Sequence, residues 1–187
     1  MYASYPQSNT VPIPGDAVQQ REEAGWIARC RAGEADAFRP LVQRYERMVR
    51  SLVRRLMPSD AEIDDVAQQT FVTAFDRLGQ YAGDAKFSTW LCRIALNKCR
   101  DQLRGRRRRA EDDIGEMDFA SEQQGPEQVL IDKQMDLQLQ GALNKLKRGE
   151  REIIVFKYVC DYSYETVAAI LNCSVTAAKV RSLRARE

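Results

Sequence analysis

Apolar side chains in this chain recur at steps of three and four, and no segment alternates apolar with polar residues as a half-buried strand does. That periodicity restricts the fold to helices packed on helices. From about Arg21 it runs through Trp26, Ile27 and Cys30. After Gly33 it resumes with Val42, Tyr45, Val49, Leu52 and Leu56 on one face. Pro58 and Ser59 interrupt the chain, and a second strong segment follows with Ile63, Val66, Ala67, Thr70, Phe71, Ala74, Phe75 and Leu78, opposite a face carrying Asp64, Asp65, Gln68 and Gln69. The stretch GQYAGDAK, 79–86, has two glycines and no period, so it is expected to be a loop. Ser88 is placed to cap the next helix, over 87–109. This helix is apolar nearly all round at its start and strongly basic at its end, through Arg104 and Arg106 to Arg109. Beyond Pro126 a further helical block carries Met135, Leu139, Leu143 and Leu146, then Ile153, Ile154, Phe156 and Val159. The expected fold class is all-α.

Charge divides the chain. Residues 20–110 hold 19 basic and 12 acidic side chains and residues 133–187 hold 10 and 6, whereas 111–132 hold eight acids and no base. Two basic blocks offer two surfaces to a polyanion, and the acidic segment between them would be repelled by it. The expected organisation is a disordered tail over 1–20, rich in Pro, Ser, Asn and Gln, a helical domain over 21–109, a flexible acidic linker over 110–127, and a second helical domain over 128–187.

Several function classes lose support. No run approaches the roughly 20 apolar residues of a membrane span, and the N-terminus lacks a signal-peptide pattern. A cytoplasmic protein without membrane insertion is therefore expected. The five cysteines are scattered and include no CxxC pair, which argues against a disulfide framework or a zinc site and for buried thiols. With no histidine in the chain, metal sites and acid–base chemistry lack their commonest participant. Asp64 and Asp65 stand without a further acid cluster, so no catalytic residue, metal or cofactor is expected and the chain is not read as an enzyme.

Residues 161–187 read as helix, tight turn, helix. Ser163 can cap the first helix, Asn172-Cys173 supplies the turn, and Ser174 can cap the second, which carries Lys179, Arg181, Arg184 and Arg186 with Ala178 and Leu183 packing inward. This is the pattern of a helix-turn-helix whose second helix enters the major groove. Arginine suits base reading because its fork pairs bidentately with guanine, at about 1–3 kcal/mol of discrimination per good contact. An amphipathic helical hairpin with a solvated basic face has the same pattern. A second nucleic-acid signal lies at 81–100, where Tyr81, Phe87 and Trp90 neighbour Lys86, Arg93, Lys98 and Arg100. Aromatic faces stack on unpaired bases while cations follow the backbone, although Phe87 and Trp90 are equally readable as core.

Taken in order, AFRPLVQRYERMV (37–49), DDVAQQTFVTAF (64–75), FSTWLCRIALNKCRDQLR (87–104), YSYETVAAIL (162–171) and AAKVRSLRARE (177–187) resemble the extracytoplasmic-function group of sigma-70 factors. The resemblance covers about residues 21–187. It implies a helical N-terminal domain for the minus-10 promoter element and a C-terminal four-helix domain for the minus-35 element, with core RNA polymerase (its β′ coiled coil and β flap), promoter DNA and an anti-sigma factor as partners. Asp64, Asp65, Val66, Gln68, Gln69 and Phe71 fall in the segment that in this family grips the β′ coiled coil. Gln80, Tyr81, Ala82, Gly83, Asp84, Lys86, Phe87, Ser88, Trp90, Arg93, Asn97 and Lys98 fall in the part that melts the minus-10 element and captures a flipped base, at a cost of a few kcal/mol of unstacking. Thr176, Lys179, Val180, Arg181, Leu183 and Arg184 match minus-35 reading positions, with Arg186 on phosphate.

The chain departs from the family pattern at Gln69, where glutamate is usual, and at Thr176-Ala177-Ala178, where Gly-Thr-Val is commoner. Promoter sequence therefore does not transfer from better-known members. Another reading of the same features is a helix-turn-helix regulator that binds duplex DNA without polymerase and uses 21–109 for sensing or dimerisation.

Overall fold

The computed structural model describes the backbone of residues 17–112 and 130–186 and the side chains of 18–109 and 134–186. The expected linker over 110–127 lies almost wholly outside these residues, as does most of the expected tail. Among the described residues there are helices and no strand, the all-α fold that the periodicity required.

The first helical unit comprises α1 (Ala17–Arg31), α2 (Arg39–Leu56), α3 (Ile63–Asp76) and α4 (Phe87–Asp112), with short 3-10 turns before α2, before α3 and after α3. Helix α1 begins four residues inside the expected tail, where Arg44 on α2 donates to the Gln19 carbonyl at 2.7 Å. The Arg44 guanidinium also lies 4.3 Å from the centre of the Trp26 ring. In α2 a proline in the first turn is tolerated because that N–H has no helical partner, and Leu41, Tyr45, Met48, Val49, Leu52, Val53 and Leu56 form one buried stripe. Asp64 and Asp65 sit in the first turn of α3, where the helix dipole favours negative charge. Helix α4 starts at Phe87, with the Thr89 and Trp90 amides bonded to the Lys86 carbonyl. Ser88 is thus inside the helix, not its cap, and it is 1% exposed.

The second unit comprises α5 (Leu130–Lys145), α6 (Arg148–Ile154), α7 (Tyr164–Leu171) and α8 (Val175–Arg184). Ile153, Val155 and Phe156 are fully buried. Helix α6 leaves through a π-helical turn, Val155–Val159, and Asp161 takes a left-handed conformation at φ 52°. That exit delivers Tyr162 to α4 of the first unit.

The two units are packed on each other, and their buried side chains form one continuous core. The C-terminal carbonyls of α2, which no helical donor can reach, are met by donors of the second unit. Gln140 donates to the carbonyls of Arg54 and Met57 at 2.9 and 3.0 Å, and Arg151 donates to that of Leu56 at 3.2 Å while also holding Leu143 at 2.9 Å. Asp136 pairs with Arg55, which is 4% exposed, and lies 3.6 Å from Arg54. Arg100 of α4 grips Glu152 of α6. The packing is not fully satisfied, since Nε and Nη1 of Arg55 and Oε1 of Gln140 are buried without a hydrogen-bond partner. Such groups cost about 1–3 kcal/mol each, so the closed arrangement carries an opposing term.

Candidate nucleic-acid and polymerase surfaces

The C-terminal hairpin is built by its caps. Ser163 accepts from the Thr166 amide at 3.2 Å and Ser174 from the Ala177 amide at 3.1 Å, as the sequence predicts for both. Asn172 ends α7 in the left-handed region, φ 53°, a conformation asparagine tolerates well. Behind α8 the expected inward pair was Ala178 and Leu183, but Leu183 is 60% exposed and Ser182 is buried in its place. The reason is angular: residues four apart share a helix face and residues five apart do not. The Ser182 hydroxyl is not stranded there, lying 3.2 Å from that of Tyr158 and accepting from Tyr164 at 3.1 Å. Burial pushes the Tyr158 hydroxyl up, and its hydrogen bonds to Ser182, Tyr164 and Arg186 outweigh that and bring it below its ordinary value.

Thr176, Lys179, Val180, Arg181, Leu183, Arg184 and Arg186 are all exposed. Thr176, Lys179, Val180 and Leu183 share one face at steps of three and one, with Arg181 and Arg184 beside it. Lys179 lies 5.9 Å from the Tyr164 ring centre and Arg186 5.9 Å from that of Tyr158. The outward face of α8 therefore combines cations, a hydroxyl and two apolar side chains on a rigid support. Such a face can meet phosphates, base edges and thymine methyls.

On α3 the six positions singled out by the sequence divide. Asp64, Asp65, Gln68 and Gln69 are exposed, whereas Val66 and Phe71 are 2% and 8% exposed and belong to the core that carries the helix. Asp64 is paired with Arg50 at 2.7 Å. Two residues extend the outer face: Val72, 55% exposed, and Phe75, 42% exposed with an edge-on contact to Phe38. Phe75 was expected on the buried stripe. The 65, 68, 69, 72 spacing marks Val72 as part of the same outward face as the glutamines, a signal present in the sequence.

The third surface spans the loop after α3 and the start of α4. Gln80, Ala82, Gly83, Asp84 and Lys86 are exposed, and Gly83 takes φ +85°, which favours glycine. Tyr81 closes the loop on itself, its hydroxyl donating to the Ala85 carbonyl at 2.6 Å. Its ring stands 5.5 Å from Phe87 and 5.3 Å from Trp90. Phe87 is 1% exposed and packs on Tyr45, so it is the centre of the aromatic cluster and not its contact surface. Trp90 is half-buried, and with the exposed Arg93 and Asn97 it lies on one outward face of α4; Lys98 is half-buried beside them. Ser88 is buried beside Tyr162. The Cys92 thiol on the same face is 3.6 Å from the Tyr162 hydroxyl. The second unit thus covers one face of the first turns of α4 and leaves the Trp90, Arg93 and Asn97 face open.

Arg31 and Glu23, which sit behind this loop, were not singled out by the sequence, and Tyr45 beside them is read there only as part of an apolar face. Arg31 is 47 and 50 residues from the carbonyls it bonds, a separation at which no local pattern exists. Among the described residues no group of three or more Cys, Asp or Glu side chains is arranged to hold a metal ion, and no helix is long and apolar enough to cross a membrane.

Comparison with known proteins gives these three surfaces a context. Sigma-70 region 2 matches residues 41–109, which contain the α3 face and the loop with α4. Sigma-70 region 4 matches residues 136–187, which contain the α7–α8 hairpin. The ECF RNA polymerase sigma-E factor of Salmonella typhimurium is 34% identical over 170 residues, 86% of this chain and 88% of that protein. The RNA polymerase sigma-H factor of Pseudomonas aeruginosa is 30% identical over 177 residues, 90% and 92% of the two chains. Among solved structures, CnrH in complex with the cytosolic domain of CnrY aligns with a TM-score of 0.66 and 30% identity over 88% of this chain and 92% of that one. The sigma factor RpoE of Bartonella quintana, in complex with the anti-sigma factor NepR, aligns with a TM-score of 0.63 and 25% identity over 80% and 91%. With both sigma regions matched in order and relatives of this identity along most of its length, the chain belongs to the extracytoplasmic-function group of the sigma-70 family of RNA polymerase sigma factors.

Proposed function

We propose that this sigma factor docks on core RNA polymerase through the exposed α3 face of Asp64, Asp65, Gln68, Gln69 and Val72, opens the minus-10 element with the 80–86 loop and the Trp90, Arg93 and Asn97 face of α4, and reads the minus-35 element with α8. The observation that supports this division is that three separate surfaces, one acidic and amide-rich, one aromatic and basic, one basic on a capped hairpin, fall within the two matched regions in family order. Val66, Phe71 and Phe87 serve it from inside, by holding the helices that present the contacts. The domains are taken as 21–109 and 128–187, with the acidic segment as the tether, acting in the cytoplasm and without enzymatic activity of their own.

The closed packing bears on control. Two linked modules bind a long site together only when their spacing matches it, and here Tyr162 covers Ser88 and Cys92 of the minus-10 helix. The working form is therefore the opened one, spread over the polymerase. An anti-sigma factor that favours the closed form keeps the protein inactive, in line with the anti-sigma complex of its structural relative. DNA footprinting tests the reading: protection of both promoter elements is expected with core polymerase and not with the chain alone. Tight, site-specific protection by the chain alone would instead identify a polymerase-independent regulator.

A further inference from the structure

We infer that Arg31, at the end of α1, is a positioning residue for minus-10 recognition, an inference that rests on the 80–86 loop being the minus-10 contact. The Arg31 guanidinium donates to the Leu78 carbonyl through Nε and Nη2, at 3.4 and 3.3 Å, and through Nη2 to the Tyr81 carbonyl. These two carbonyls bracket the 3-10 turn Leu78–Gln80, where the chain leaves α3 for the loop.

The Tyr81 ring of this loop packs on Phe87 and Trp90, but the exposed tip over 82–84 does not lie on packed side chains. Beneath it is a cavity of about 470 Å³, lined from α1 and α2 by Glu23, Ile27, Arg31 and Tyr45 and from the loop by Ala82 and Asp84. A wall without packing atoms behind it gains little from dispersion, so its position is set by ties at its ends. The ties are few: Arg31 and the buried Leu78 at the entry, the Tyr81 hydroxyl on the Ala85 carbonyl across the loop, and Phe87 buried at the exit. Tyr81 and Phe87 belong to the loop and to α4, so Arg31 is the polar tie that fastens the loop entry to α1. The planar fork suits the task, because one rigid group reaches both carbonyls, whereas a lysine would offer a single point of donation.

Holoenzymes assembled from the full chain with Arg31→Met or Arg31→Lys test this on a duplex promoter, on the same promoter with a pre-melted minus-10 bubble, and on a panel of single-base changes in the minus-10 element. For Arg31→Met we expect about tenfold slower open-complex formation on the duplex, the size of one lost charge-assisted hydrogen bond. The same variant should have an altered base preference across the panel, a smaller deficit on the bubble, and unchanged affinity for core polymerase. Arg31→Lys should recover part of the rate. In the free protein, amide exchange at 82–86 should quicken in Arg31→Met without quickening in α2. Wild-type rate and base preference in Arg31→Met, while Gln80→Ala or Asp84→Ala alters the preference, would overturn the role of Arg31 and leave the loop assignment standing. If the loop variants are silent as well, the loop assignment fails and the role of Arg31 with it.

Discussion

Arg100 holds both carboxylate oxygens of Glu152, Nε to Oε1 at 2.9 Å and Nη2 to Oε2 at 2.6 Å, and so ties α4 to α6 of the other unit. Glu152 is 5% exposed, its other cation, Arg148, is 3.9 Å away, and its hydrogen bonds hold the Arg100 guanidinium above its ordinary pKa against the opposing effect of burial. Removing Arg100 leaves a carboxylate in a largely dry place. Arg100→Ala is expected to weaken the closed packing by about 1–3 kcal/mol, seen as a larger radius of gyration by X-ray scattering, with partial recovery in the swapped pair Arg100→Glu with Glu152→Arg. An unchanged radius in Arg100→Ala would mean that the α2 end contacts alone hold the units together.

Thiol reactivity reports the same opening from a different side. Burial pushes the Cys92 and Cys99 thiols up to about 12, and that of Cys160 well above its ordinary value. The reactive species is the thiolate, so maleimide labelling of the free chain at pH 8 should modify the half-buried Cys30 and Cys173 and spare these three. In Tyr162→Ala, or in the holoenzyme, Cys92 should label at least tenfold faster, because its cover is gone. Equal rates for Cys92 and Cys173 in the free chain would contradict the closed packing in solution.

Promoter reading and polymerase docking should separate by mutation. Arg181→Ala with Arg184→Ala is expected to reduce minus-35 recognition by about 30-fold or more, from two base contacts at about 1–3 kcal/mol each, with affinity for core polymerase intact. Asp65→Ala with Gln68→Ala should do the reverse. Loss of polymerase affinity in the arginine variant, measured by fluorescence titration, would show that α8 has been misassigned.

Glu23 gives a pH signature. Burial raises its carboxyl pKa above the ordinary 4.5, opposed by the hydrogen bond from Tyr45 and the charge of Arg44. A carboxyl whose folded pKa is raised holds its proton more tightly in the folded chain than in the unfolded one, so this group makes stability fall as pH rises from about the unfolded value through the folded one. Glu23→Gln keeps an acceptor for the Tyr45 hydroxyl and removes the titration. Urea unfolding should then show, relative to the wild type, a stability that falls less or rises more as pH goes up from 4.5, and at least equal stability at about pH 7; the opposite difference would contradict the assignment.

What the sequence revealed was governed by range. The periodicity of α2, the caps Ser163 and Ser174 and the outward row of α8 are local facts, decided by spacing within one or two turns. Leu183 faces outward because it is five residues from Ala178, and two tyrosine hydroxyls make a home for Ser182 on the inner face; Ser88 is inside a helix that starts one residue earlier, and Tyr162, 74 residues on, lies against it. The aromatic trio at 81–90 was equally readable as core or contact, and it divides, with Phe87 inside and Trp90 half-exposed. The packing between the units, and Arg31 under the loop, join residues about 50 to 95 positions apart, and no pattern in one chain encodes such pairs.

Run-off transcription with purified core polymerase, the full chain and genomic fragments tests the central claim most directly. Discrete start sites that appear only when this chain is added, and that weaken when Arg181 and Arg184 are replaced by alanine, are the predicted result. Transcripts identical with and without the chain would contradict it.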